Sequence, residues 1–401
     1  MEQRTFLRVL GGFSAMAICS CKGSVDASQS RGRGKPPASG RTTAVFLAGI
    51  NRGASERGMK LAVRAAAEAA TDFSWLSPGD AVFIKPALNS GNPYPATTSP
   101  IAIVAMVELL REKGAGRVIV GDMSGIEHVK LSSKGVTGSS RKLMESCGMA
   151  RIVQDAGAQV HFFEEAGWNA FYRDVPAEGS HWKNGLMMPT ILKEVKHIIL
   201  MPRCGRHVLA GSSLGLKAAV GYWRTDTRLE YHRDASTFQE KTAEGNTVEI
   251  LRNKQRLVLS AADKILTTLG PDNGHVFQPD TGLIIASESV VAHDMVSLAW
   301  LLQNRRQSEK DWLDPYNWLD LYNNQFLVAN INRFFVVGKL GGWSSVCACE
   351  KLTRNDISTI WDDRILNRAY EVLGGKPNVI LQAANNAVPD DLRDRLSEMV
   401  T

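Results

Sequence analysis

One apolar run, Ile198-Ile199-Leu200-Met201, is stopped by Pro202 and leads into Arg203, His207 and the turn Gly211-Ser212-Ser213. A strand with no polar residue on either side has both faces covered, which is the situation of an inner strand between layers of helices. Such strands end at the ligand crevice in open α/β sheets, so Arg203, His207, Gly211, Ser212 and Ser213 are expected there. Glycine lets backbone approach a ligand closely. Ser212 or Ser213 is placed to cap a following helix whose first N–H groups favour negative charge. Lys217 falls within the first turns of that helix. The segment reads as an anion-accepting loop, the competing reading being a solvated basic loop.

The rest of the chain repeats the same alternation. Strands are expected at Ala44 to Ile50, Ala81 to Leu88, Arg117 to Gly121, Gln159 to Phe163, Gly282 to Ser287 and Asn378 to Leu381. Between and after them, helices are expected at Ser55 to Thr71, from Ser99-Pro100 to Gly114, at Arg141 to Ala156, Thr247 to Leu266, His293 to Gln303 and Asp390 to Met399. Strand, helix, strand in succession implies right-handed crossovers. The expected fold is α/β, a mainly parallel sheet with helices on both faces, in two lobes sharing a cleft. The aromatics Trp168, Phe171, Tyr172 and Trp182 read either as a lid or as a packed excursion, and Lys310 to Asn332 gives no chemical signal.

Charge excludes one class of partner. The formal net charge is +6, but the first 41 residues hold seven Lys or Arg against Glu2 and Asp26, which leaves the body nearly neutral. Extended phosphate-backbone binding needs a basic face, so no nucleic acid is expected. Residues 1–21 have a basic start, a short apolar core and small residues before cysteine, the anatomy of an export leader. Ile18-Cys19-Ser20-Cys21 resembles a lipoprotein cleavage box, which implies a lipid on Cys21, membrane attachment and a basic tether over residues 22–42. Gln3-Arg4-Thr5-Phe6-Leu7-Arg8 resembles a twin-arginine signal with Gln3 in place of the first arginine, so the export route stays open. The α/β domain is assigned to residues 43–401.

Three further groups carry chemistry. Lys85 ends an apolar strand before Pro86, with Asn89 and Thr98-Ser99-Pro100 beyond; a buried lysine needs an anionic ligand or a carboxylate. Asp122, ending Val120-Gly121-Asp122, can pair with Lys85 if the two strands are neighbours. Gly270-Pro271-Asp272 and the later His293-Asp294 complete the set, Asp294 reading either as a site residue or as the cap of a helix Met295 to Leu302.

In this order, the segments resemble the bacterial and archaeal family known as domain of unknown function 362, over roughly Thr43 to Leu302. Two departures stand out. The family often has asparagine directly after the lysine-proline pair, where this chain has Ala87, and some members carry a cysteine-rich ferredoxin segment that this chain lacks. No iron–sulfur cofactor is therefore expected. The general arrangement also looks like that of lactate racemases, α/β bodies with a histidine–lysine site between lobes.

These readings converge on a small anionic ligand, a carboxylate or a phosphate. Lys85, Asn89, Arg203, Gly211, Ser212, Ser213, Asp272 and Asp294 are the expected binding residues, and His207, Asp122 and Lys217 the expected catalytic ones. Capture of an anionic solute without turnover is the alternative. A serine hydrolase, through Gly211-Ser212-Ser213-Leu214-Gly215 with Asp263 or Asp272 and His275 or His293, is a third. A divalent metal is left open, either among Asp122, His128, His207, Asp272, His293 and Asp294 or where Cys347 and Cys349 meet Cys204 and His207.

Overall fold

The computed structural model describes residues 40–268, 270–308, 330–349 and 357–401. The leader, Cys21, most of the tether, Leu269 and nearly all of Lys310 to Asn332 lie outside the described residues. Eight strands form the main sheet: β1 (Thr42–Asn51), β2 (Ala81–Pro86), β3 (Arg117–Asp122), β4 (Gln159–Phe162), β5 (His197–Met201), β6 (Gln255–Ala262), β7 (Thr281–Ser287) and β8 (Asn378–Ala383). Their order is β8-β1-β7-β6-β5-β2-β3-β4, and every pairing is parallel except those of β7 with β1 and β6.

Within this sheet the run β4-β3-β2-β5-β6 has the winding of a doubly wound fold. From β2 the chain proceeds outward through β3 to β4, then returns to β5 on the other side of β2. The crevice between the carboxyl ends of β2 and β5 is thus the topological switch point, where ligands sit in open α/β sheets. Lys85 ends one of these strands and Arg203 follows the other.

Alternating side chains feed two cores. Val82 and Ile84 pack with the helices α1 (Glu56–Ala70) and α2 (Pro100–Glu112), while Phe83 faces the opposite layer, which includes α4 (Val290–Gln307) and α5 (Arg364–Val372). Each helix on the first face begins as its sequence dictates. Ser55 accepts from Gly58 N, Ser99 accepts from Ala102 N, and Pro100 occupies the first turn where its missing N–H costs nothing.

Several expectations are corrected. Thr247 to Leu266 is not one helix: a short helix, Glu249–Lys254, gives way to β6, because Leu257, Val258 and Leu259 in succession are buried on both sides of the sheet. The helix over Arg141 to Ala156 is broken at Gly148, whose φ of 77° lies in the left-handed region. Trp182 is not a lid residue, since it is buried edge-on against Trp223 at 4.8 Å. Among the described residues no helix is long and apolar enough to cross a membrane.

Candidate functional site

The expected partnership of Lys85 and Asp122 is present. Neighbouring parallel strands β2 and β3 bring Lys85 Nζ to 2.8 Å from Asp122 Oδ1, with both side chains buried. Lys85 Nζ also donates to Pro86 O at 2.7 Å and stands 5.3 Å from the Tyr222 ring centroid. The carboxylate is held from its other sides: Oδ2 accepts from Leu88 N and Oδ1 from Met123 N. Both residues are therefore locked into the edge. Asp122, expected to move protons, is anchored by three donors, and Lys85 is turned to it instead of to a ligand.

Gly221 covers this pair so closely that a Cβ there would stand 2.2 Å from Asp122 Oδ1 and 2.4 Å from Lys85 Nζ. Arg228 fixes the covering segment. Its guanidinium is buried and donates to Trp223 O, Ser124 O, Met123 O and Gly221 O, joining the turn after β3 to the turn over the pair. Burial pulls the titration of Arg228 down to about 10, against the opposing pull of Asp122 and Glu164.

After β5, Arg203 is fully enclosed. It donates to Ser213 Oγ at 3.0 Å, to Ala96 O and to Pro271 O, and burial lowers it to about 10. Gly205–His207 and Gly211–Ser213 form an antiparallel hairpin in a small sheet of four strands. Ser213 is thus a strand residue facing an arginine, not the apex of a strand-to-helix elbow. Its expected hydrolase partners are engaged elsewhere, His293 with Ser260 and Asp294, Asp263 with Tyr94.

His207 Nδ1 accepts from Leu209 N at 3.1 Å and Ala210 N at 3.3 Å, which places the ring proton on Nε2. Burial, then Lys217, Arg203 and His232, push its titration well below the ordinary value. The ring is a neutral donor in this setting. A proton-accepting role at Nδ1 is closed by the two backbone donors.

Neither serine caps the helix α3 (Gly215–Ala218); Leu214 sits at that position without a side-chain hydrogen bond. The acceptor comes from α4, where Asp294 Oδ1 receives Gly215 N and Oδ2 receives Leu216 N. Asp294 does not cap its own helix, which begins at Val290 under Ser289. The helix end expected to receive a ligand anion is already occupied by this carboxylate.

Lys217 differs from the others. It is half-buried, and among the described residues it makes no salt bridge; its Nζ lies 5.9 Å from the Tyr231 ring centroid. Burial, followed by the charges of Arg203, Arg228 and Lys85, lowers its titration to about 7, with Asp122 pulling the other way. His232 is held neutral by burial and by Lys217 and Arg228. Asp272 is hydrogen-bonded to Asn89 and to His128 Nε2 and lies within the electrostatic reach of Arg203. Among the described residues no three His, Cys, Asp or Glu side chains are grouped as a metal site, and Cys204 donates to Ser297 O.

A family model described as Domain of unknown function (DUF362) matches residues 82–299, more than half of the chain. Among curated proteins none matches the sequence. A crystal structure of a Thermotoga maritima protein, solved by a structural genomics consortium, is 13% identical with a TM-score of 0.42, over 65% of this chain and 61% of that one. The lactate racemase apoprotein from Thermoanaerobacterium thermosaccharolyticum is 11% identical with a TM-score of 0.38, over 90% and 86%. Neither likeness bears on chemistry.

Proposed function

This chain belongs to the DUF362 family, and from that premise we propose that it is an enzyme acting on a small carboxylate- or phosphate-bearing substrate at the β2/β5 switch point, with Lys217 as the group that exchanges a proton. One observation carries the reading. Lys217 is a half-buried amine without a carboxylate partner, set among Arg203, Arg228 and Lys85, only the last of which is paired with an acid. Uncompensated positive charge in a buried setting favours an anion, and an amine titrating near neutrality can both hold that anion and exchange a proton. His207 would contribute a neutral Nε2–H donor to the same ligand.

Binding of inorganic phosphate and of short hydroxy acids to the wild type and to Lys217→Gln tests the first half. Exchange of substrate C–H for deuterium, followed by proton NMR in heavy water, tests the second. Loss of binding in Lys217→Gln with exchange in the wild type is the expected result; no anion bound by the wild type would sink the proposal. Capture without turnover is favoured by a different observation, that Asp122 and His207 Nδ1 are both occupied by backbone donors. Binding without exchange would select it. We also propose that the mature protein is lipid-anchored through Cys21, so the wild type but not Cys21→Ala should partition into the detergent phase when expressed in a bacterium.

A further inference from the structure

Asp363 lies beyond the family match, at the N-cap of α5, and it uses only half of its carboxyl group. Oδ1 accepts from Leu366 N at 2.8 Å. Oδ2 is buried without a hydrogen-bond partner, although the residue is only 1% exposed. Asp363 lines a small cavity with Ser212, Lys217 and Asp294, walled by Leu214, Leu216, Leu298, Ile365 and Leu366. A buried oxygen left unpaired beside a cavity is costly unless something enters to meet it.

What enters follows from the charges around it. The groups facing Asp363 are Asp294 of α4, Arg364 and Tyr370 of its own helix, and Lys217 along the cavity wall. Arg364 is engaged by Glu240, and Asp294 repels a second negative charge. Burial and Asp294 raise the Asp363 carboxyl to about 7, so below neutrality Oδ2 carries a proton. The cavity then presents a carboxylic O–H, the Ser212 hydroxyl and the Lys217 ammonium as donors, while the Asp294 carboxylate on its wall is spent on Gly215 N and Leu216 N.

We propose that Ser212, Lys217 and Asp363 form an acceptor-binding subsite, in which Asp363 donates a hydrogen bond to a carboxylate or phosphate oxygen of the ligand. This rests on the reading of Lys217 as an anion-holding group and adds a residue that determines which ligand atoms are accepted. An ionised Asp363 would repel the same oxygen.

Formate is a suitable probe because it is small and stays ionised from about pH 6 to about pH 8.5. Its binding is to be followed by carbon-13 NMR on the wild type, Asp363→Asn, Asp363→Ser and Lys217→Gln, with circular dichroism to establish folding. Asn and Ser both keep the helix cap, but only Asn has a second polar atom, its amide nitrogen, to donate into the cavity; the shorter serine has a single oxygen, which the cap holds against Leu366 N. The wild type should lose affinity with rising pH, at a limiting slope of about two decades per unit, since Asp363 and Lys217 both lose a needed proton. Asp363→Asn should bind as the wild type does at low pH with the slope reduced to about one, and Asp363→Ser should bind about tenfold more weakly. Undiminished binding in Lys217→Gln, or none in the wild type, overturns the underlying reading. Loss of binding in Lys217→Gln together with wild-type affinity in Asp363→Ser, or an unchanged slope in Asp363→Asn, overturns the role of Asp363 alone.

Discussion

Asp294 serves a helix 79 residues away in sequence: its carboxylate receives the N–H of Gly215 at 2.8 Å and, through its second oxygen, that of Leu216. Gly215 is what permits the approach, because a Cβ there would stand 2.7 Å from Asp294 Oδ1. Asp294→Ala should cost about 2–4 kcal/mol in urea unfolding, since two buried N–H groups lose a charged acceptor. Asp294→Asn, which keeps one acceptor oxygen, should cost roughly half as much.

Lys85 and Asp122 form a buried pair, and breaking such a pair from one side costs about 3–5 kcal/mol. Lys85→Met and Asp122→Asn should each fall in that range. The double variant should lose less than the sum, with a coupling of about 1–3 kcal/mol. Strict additivity in a double-mutant cycle would mean that the pair is not a unit.

Gly221→Ala should disturb the site without touching its chemistry. The new methyl group must displace Asp122 Oδ1 and Lys85 Nζ, both enclosed, at a cost of about 1–3 kcal/mol. Thermal unfolding reads the cost, and a Gly221→Ala protein as stable as the wild type would show that the cover can lift.

Lys217 should react with an amine reagent such as trinitrobenzenesulfonate with a midpoint near pH 7, as peptide mapping would reveal. Arg203→Met should move that midpoint upward, because it removes a neighbouring positive charge. The sign for stability follows from the same shift. Between about pH 7 and the ordinary lysine value the unfolded chain binds the extra proton, so the contribution of Lys217 to stability improves as pH rises. Lys217→Met should flatten that part of the stability profile.

The strand ends carrying Lys85, Asp122 and Arg203 were legible in the sequence because continuous apolar runs announce inner strands, and the lysine–aspartate pairing follows from strand adjacency. The family likeness read from the ordered motifs is borne out over residues 82–299, a shorter span than Thr43 to Leu302. The covering roles of Arg228 and Gly221, and Asp363 altogether, were not legible. Their importance lies in contacts across long separations, such as Arg228 to Ser124 O over 104 residues, which no local pattern records. Helix β-strand ambiguity hid β6, since Leu257-Val258-Leu259 suits a buried helix as well as a buried strand. Asp294 misled for a related reason: its position near a helix start is a local fact, while its partners belong to another helix.

The single reversed strand has a consequence for how this architecture can vary. Because β7 runs against β6, the chain leaving the carboxyl end of β6 comes back along the same border of the sheet, and residues 263–268 and 270–280 hang above that border. It meets the loops after β2 and β5 there, Tyr94 reaching Asp263, Asn92 reaching Asp272 O and Arg203 reaching Pro271 O. A parallel crossover would have carried it to the far side of the molecule. The return segment is consequently an adjustable canopy: lengthening or trimming it would change what the switch point admits while every strand keeps its neighbours.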